Sequence, residues 1–441
     1  MKYKKSNYNI IVEKLENGDI LLFNSLSGAF GVLEDNNVDF YEKINILDTD
    51  NIDESKKSLV EIMIENGFLI DCEFDEFALL EVQEKIARYS SSKLKNLTIA
   101  PTLACNMECK YCFENHENCH GMSEEIKQSL LKFVDSQLCE KGTEHLNVTW
   151  FGGEPLLELD TIKFLSNKFI KICNDKNIKY TAGIITNGIL LNTETCNSLV
   201  NDCKVNSAQI TIDGLGDIHN SRRKLKNGED SFSIIIKNID DIKDKINLAI
   251  RVNVDKNNDK EVDTLIDYFI FNKNWGNDDN ISIYLAPIEK TTDECIIKDS
   301  KCLNSEEFLD VLIRIYQKLY NAGYKSAFEK MYPKTLVTGC SALTIGSYVI
   351  DEIGDIYTCW GAIGIKKYSI GNIAEKLNLN SSWLKWLSLN KPDKCGICKF
   401  LPMCKGSCAF KRLENKDKFS CSYSKFSYKE ILKYIYMFNY N

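Results

Sequence analysis

The chain has 441 residues, enough for about three domains at roughly 150 residues each. It is 44 % hydrophobic and 27 % charged with a net charge of −8, the profile of a globular protein with an ample core. A broadly acidic chain without a basic block argues against nucleic acid as its main partner. No apolar run of about 18 residues argues for a membrane span, and the N-terminus lacks the apolar core of a signal peptide, so a cytoplasmic location is expected.

The predicted elements begin with YNIIVEKLENGDILLFNSLSGAFGVL, which reads as two or three strands turning at Asn17-Gly18 and Ser27-Gly28. VDFYEKI and KKSLVEIMIENGFLI then read as amphipathic helices, the second ending at Asn66-Gly67. KNLTIAPTLAC predicts a strand running into a loop, CNMECKYCFE. GMSEEIKQSLLKFVDSQL has helical periodicity, with Ser123 as its N-cap. LNVTWFGGEPLLE predicts a strand ending at Gly152-Gly153-Glu154-Pro155. Further strands are expected at 180–188, 207–214, 246–255 and 281–287, with helices at 159–174, 193–202, 231–244, 259–272 and 305–321. Such alternation implies parallel βαβ units, with the marked turns at the strand ends where ligands gather.

Eighteen cysteines are too many for a reducing compartment unless they serve metal or redox chemistry. Cys105, Cys109 and Cys112 form a C-x3-C-x2-C loop. Zinc wants four ligands, so a zinc reading needs His116 or His120 to complete the set. Three thiolates instead suit a four-iron cluster with one iron left open to a substrate. The second group is Cys340, Cys359, Cys395, Cys398, Cys404, Cys408 and Cys421. Taken alone, its C-x2-C and C-x3-C spacings also fit zinc.

CNMECKYCF resembles the signature of radical S-adenosylmethionine (SAM) enzymes, and the later GGEP turn agrees. The resemblance implies an α/β fold with a partial (β/α)6 TIM-like barrel, one 4Fe-4S cluster on Cys105, Cys109 and Cys112, and SAM as cofactor. It implies cofactor contacts at Tyr111, Gly152, Gly153, Glu154, Asn187, Arg222 and Asn253. Arg222 enters through DGLGDIHNSRR, where His219 has as good a claim to packing as to chemistry. The implied reaction is one-electron cleavage of SAM to a 5′-deoxyadenosyl radical that abstracts a hydrogen atom. A reductant such as flavodoxin or ferredoxin would supply the electron. No side-chain base is identified.

Residues 340–421 resemble the SPASM extension, which holds two auxiliary 4Fe-4S clusters. The family pattern implies Cys340, Cys359 and Cys408 for the first, and Cys395, Cys398, Cys404 and Cys421 for the second. The first set lacks an obvious fourth ligand. Either Cys295 or Cys302 folds in, or one iron is open to a substrate thiolate. The short gap before Cys421 also departs from the pattern.

The expected domains are 1–92, 93–325 and 326–441. The first resembles the leader-recognition (RRE-like) domains of ribosomally made peptide (RiPP) systems, and the whole resembles thioether-forming maturases of the sactipeptide and ranthipeptide type. The expected partner is a precursor peptide, with a carbon radical bonding to a cysteine sulfur and an auxiliary cluster taking the surplus electron. Alternatives are a carbon–carbon crosslink, an anaerobic sulfatase maturase making formylglycine, and a zinc-binding module without catalysis. Sulfatase maturases carry an acidic residue directly after the second SPASM cysteine, whereas Trp360 follows Cys359 here.

Overall fold

The computed structural model describes residues 1–90, 93–116, 119–290, 295, 299–414 and 421–440. The expected boundary at residue 92 falls on residues 91 and 92, outside the described residues.

Six parallel strands carry the central sheet. They are β1 (Leu94–Ile99), β2 (His145–Trp150), β3 (Lys179–Thr186), β4 (Val205–Thr211), β5 (Asn247–Val254) and β6 (Ile281–Pro287). Each pairs with the next in sequence, from β1 through β6. Several of the helices that flank them start where the sequence offers a cap, whereas Leu159–Asp175 and Val262–Asp267 start without one. Ser123 accepts from the Ile126 amide, Asn192 from Thr195, Asp230 from Ser233, and Asn304 closes a capping box with Glu307. Their apolar faces and the strands' inner residues, including Val148, Trp150, Ile184, Ile210 and Ile250, form one continuous buried core.

The sheet does not end at β1. Ser347–Ile350 (β7) adds to it in parallel, followed antiparallel by Asp355–Tyr357 (β8) and Gly371–Asn372 (β9). The resulting nine-stranded order is β6-β5-β4-β3-β2-β1-β7-β8-β9. The cysteine-rich segment therefore begins as part of the barrel sheet. The expected helix over 259–272 is an α-turn, Val262–Asp267, continuing as a π-helix, Tyr268–Asn272.

The N-terminal residues form strands Lys2–Lys5, Asn9–Lys14, Ile20–Asn24 and Phe30–Leu33 and helices Asp35–Lys43 and Glu54–Glu65. A third helix, Glu76–Tyr89, lies where the sequence reading placed none. One face of the three-stranded sheet covers these helices through Ile20, Leu22 and Leu33. The other face, Ile10, Val12, Leu21 and Phe23, packs on Met403 and Leu432 of the C-terminal region. Tyr8 and Leu80 meet Cys395 and Leu401. Ser25 Oγ donates to the Lys399 carbonyl at 2.5 Å, and Tyr89 Oη to that of Leu387 at 2.9 Å. Among the described residues, no helix is long and apolar enough to cross a membrane.

Candidate active site

The three-cysteine loop leaves the C-terminal end of β1 and is held from two sides. Met107–Cys109 pairs antiparallel with Arg223–Leu225, which sets Cys109 opposite Arg223. The turn after β2 supports the loop from below. Glu154 N donates to the Ala104 carbonyl at 2.9 Å and Gly153 N to that of Thr102 at 3.3 Å. A Cβ on Gly152 would lie 2.3 Å from the Thr102 carbonyl oxygen, and one on Gly153 2.3 Å from that of Ala104. Gly152 also has φ +118°, a conformation natural to glycine.

Glu154 is fully buried. Its carboxylate accepts from Leu156 N at 3.0 Å, Thr186 Oγ1 at 2.7 Å and Asn187 N at 2.8 Å, so it ties β2 to the end of β3. Burial raises its pKa, and these bonds oppose the rise. Asn187 reaches back to the loop, donating through Nδ2 to Asn106 Oδ1 at 2.7 Å.

Tyr111 projects into a polar cluster at the ends of β4 and β5. Its hydroxyl bonds the Asp213 carboxylate and accepts from Arg223 Nη1 at 2.7 Å and Asn253 Nδ2 at 3.4 Å. Asp213 also accepts from Asn253 N at 2.9 Å. Arg222 forms a two-pronged pair with the buried Asp255 at 3.0 and 3.2 Å, and its guanidinium lies 5.7 Å from the Tyr111 ring centroid. Arg223, which the sequence reading passed over, is the guanidinium that reaches Tyr111. Burial alone would lower its pKa, but Cys109, Tyr111 and Asp213 hold it above the usual value. Its alternating position in a short strand would have distinguished it from Arg222, had that strand been legible.

His219 is packing and support. It is buried against the Phe232 ring at 5.9 Å, and its Nδ1 accepts from Asp213 N at 3.2 Å. Burial holds its pKa well below 6.5. The unfolded chain therefore takes up this proton first, and stability falls as pH drops below about 6.5. Urea unfolding at about pH 7.5 and pH 5.5 should show the wild type losing about 1.4 kcal/mol more than His219→Gln across that window.

Four thiolates on one zinc lie within about 3.8 Å of one another. Among the described residues, the one group of metal-ligand type within 4.8 Å is Cys112, Glu114 and His116. His116 Nε2 lies 3.2 Å from Cys112 Sγ while its Nδ1 bonds the Leu103 carbonyl. Burial pushes the Cys105 thiol up to about 12 and raises Cys109 and Cys112. A cluster would replace those protons.

Cys359 is pushed up to about 12, first by burial and then by Cys340 and Cys408. Cys395 is raised by burial and then by Cys404, Cys398 and Cys421. A cavity of about 460 Å³ between the barrel and this region is lined by Arg251, Tyr284, Cys340, Cys404, Cys408 and Cys421, among others. Cys295 is drawn elsewhere, its thiol donating to the Tyr111 carbonyl at 3.5 Å. The Trp360 ring lies 5.6 Å from that of Phe151, the residue before Gly152, tilted by 43°.

Residues 99–269 match the model of the Radical SAM superfamily and constitute a radical SAM domain; the chain is a radical SAM enzyme. The family implies SAM and a 4Fe-4S cluster. The chain is similar to the cysteine-type anaerobic sulfatase-maturating enzyme of Clostridium novyi, 25 % identical over 76 % of this chain and 94 % of that one. Its fold matches anSMEcpe, a structure with bound AdoMet and a Cp18Cys peptide, at TM-score 0.62 and 23 % identity, over 78 % of this chain and 97 % of that one. It also matches Streptococcus suis SuiB, solved with its precursor peptide SuiA, at TM-score 0.52 and 17 % identity, over 94 % of this chain and 97 % of that one.

Proposed function

We propose that this enzyme modifies a ribosomally made precursor peptide and joins a cysteine sulfur to one of its carbons as a thioether. The observation that carries this is the N-terminal domain. It packs by its sheet and its third helix onto the C-terminal cysteine region. A fold match to SuiB over 94 % of the chain has to include most of residues 1–92, whereas the 78 % match to anSMEcpe can omit them. The outer edge of Phe30–Leu33 has no strand partner among the described residues, so a leader segment could add there as a further strand. The domains are accordingly read as 1–92 for leader recognition, 93–325 for the barrel and 326–441 for the SPASM region.

Cys105, Cys109 and Cys112 would hold the cluster that binds SAM. When bound, cluster and SAM supply a 5′-deoxyadenosyl radical that takes a hydrogen atom from the substrate. The chain's own residues position the cofactor. Gly152 and Gly153 keep the β2 turn against the loop, and Glu154 and Asn187 fix the ends of β2 and β3. Arg222 Nε and Arg223 Nε are both buried and without a hydrogen-bond partner among the described residues, which fits an anionic group such as the SAM carboxylate beside this pair. Tyr111, itself bonded by Asn253, orients Arg223, and Asp255 holds Arg222 by its two Nη atoms. Cys340, Cys359 and Cys408 would hold one auxiliary cluster, and Cys395, Cys398, Cys404 and Cys421 the other. Three ligands in the first set leave room for a substrate thiolate.

The sulfatase-maturase reading has the C. novyi similarity in its favour. Trp360 after Cys359 weighs against it. The test is to incubate reconstituted enzyme, SAM and dithionite with a cysteine-containing peptide encoded beside the gene. A thioether is expected, seen by mass spectrometry as loss of two hydrogen atoms and a cysteine that no longer alkylates. Formylglycine in its place would establish the second reading.

A further inference from the structure

Arg251 is half-buried on β5, where the register sets it between Thr211 of β4 and Tyr284 of β6. Strand alternation puts it on the same side of the sheet as Asn253, away from Leu248, Ile250 and Val252, which fill the core. Its Nε donates to Asn253 Oδ1 at 2.7 Å, and its guanidinium lies 5.8 Å from the Tyr284 ring centroid. The Tyr284 hydroxyl is engaged elsewhere, donating to Gln209 Oε1 at 2.6 Å. Among the described residues, neither Nη of Arg251 has a hydrogen-bond partner and no carboxylate pairs with it.

Asn253, which Arg251 holds, also donates to the Tyr111 hydroxyl at 3.4 Å, and Tyr111 stands between Cys109 and Cys112. Arg251 also lines the cavity of about 460 Å³ between the barrel and the cysteine-rich region. Among the described residues, the one carboxylate on the wall of that cavity is Glu289, and Lys411 takes it at 2.5 Å. An arginine fork left open towards a cavity suits a planar carboxylate, which it binds by two parallel hydrogen bonds. The carboxylate of SAM has its own fit at the Nε atoms of Arg222 and Arg223, which leaves the substrate as the source.

We propose that Arg251 receives a side-chain carboxylate of the substrate peptide in this cavity, so that the enzyme selects a core peptide carrying Asp or Glu close to the carbon attacked. This rests on the reading that the substrate is a peptide. Such an anchor fixes the peptide beside Asn253 and Tyr111, and holding a reactant in place lowers the entropic part of the barrier.

The probe is the core segment of the cysteine-containing peptide encoded beside the gene, labelled with fluorescein, and a copy with each Asp and Glu replaced by Asn or Gln. Both are titrated by anisotropy against the reconstituted full chain, with SAM and the unlabelled leader segment present. The neutral copy should bind the unsubstituted enzyme about tenfold more weakly, the loss expected when a hydrogen bond to a charged group goes. Arg251→Gln should weaken the native segment about tenfold and should no longer tell the two segments apart. Arg251→Lys, which keeps the charge but not the fork, should fall between Arg251→Gln and the unsubstituted enzyme. SAM affinity and iron per chain should be unchanged. A core segment that does not bind the unsubstituted enzyme would overturn the peptide reading and the role of Arg251 with it. A segment that binds but has no Asp or Glu, or whose neutral copy binds as well, would overturn the role of Arg251 alone. That arm needs no substitution in the enzyme, so it stands even if Arg251→Gln fails to load iron. Loss of SAM affinity in Arg251→Gln with peptide affinity kept would assign the carboxylate to SAM and overturn the proposal equally.

Discussion

Replacing Cys105, Cys109 and Cys112 together by Ala should lower the iron of the reconstituted protein from about twelve atoms per chain to about eight, with sulfide in proportion. Reductive cleavage of SAM should become undetectable. The loop offers three thiols from one short segment, and its backbone is held by Arg223–Leu225 on one side and by the Gly153-Glu154 turn on the other. The triple variant removes ligands and leaves that scaffold intact, so circular dichroism should be unchanged. Zinc without sulfide in the wild type would instead favour a binding module. A count near eight in the wild type would place the shortfall at Cys421 or at the set of three, since those are where the spacing departs from the family pattern.

The barrel was legible because each of its strands is a short apolar run ending in a turn signal, and several of its helices begin at a residue that caps them. Asn192, Asp230 and Asn304 all cap where the sequence offers them. What stayed hidden depends on long-range partners. Ser347–Ile350 is four residues long and gains its place by pairing with β1, some 250 positions earlier in the chain. Helix Glu76–Tyr89 buries Glu76 against Ser6 and Asn7, and Glu84 and Arg88 against the C-terminal region, so its inner face is largely charged and breaks the apolar period that marks a helix. Arg222 and Arg223 are adjacent and alike in type. Only the change from helix to strand between them sends one to Asp255 and the other to Tyr111.

Gly153→Ala should weaken SAM binding about 100-fold, because a displacement of about 1 Å in a site built on this turn is enough for such a loss. The added Cβ would lie 2.3 Å from the Ala104 carbonyl oxygen and 2.4 Å from that of Leu103. Both are backbone atoms of the loop that carries Cys105, so no side-chain rotation relieves the clash. Either the loop moves away from the turn or the turn moves away from β3. In the first case the Glu154 amide loses the Ala104 carbonyl, and in the second its carboxylate loses Thr186 and Asn187. Overpacking of this kind also costs about 1–3 kcal/mol of stability. Gly31→Ala is the control, since a Cβ there meets nothing within 4 Å. Equilibrium SAM binding to the reconstituted proteins, with urea midpoints measured in parallel, separates the two effects. A Gly153→Ala protein that loses stability but binds SAM normally would mean that the turn supports the fold without positioning the cofactor.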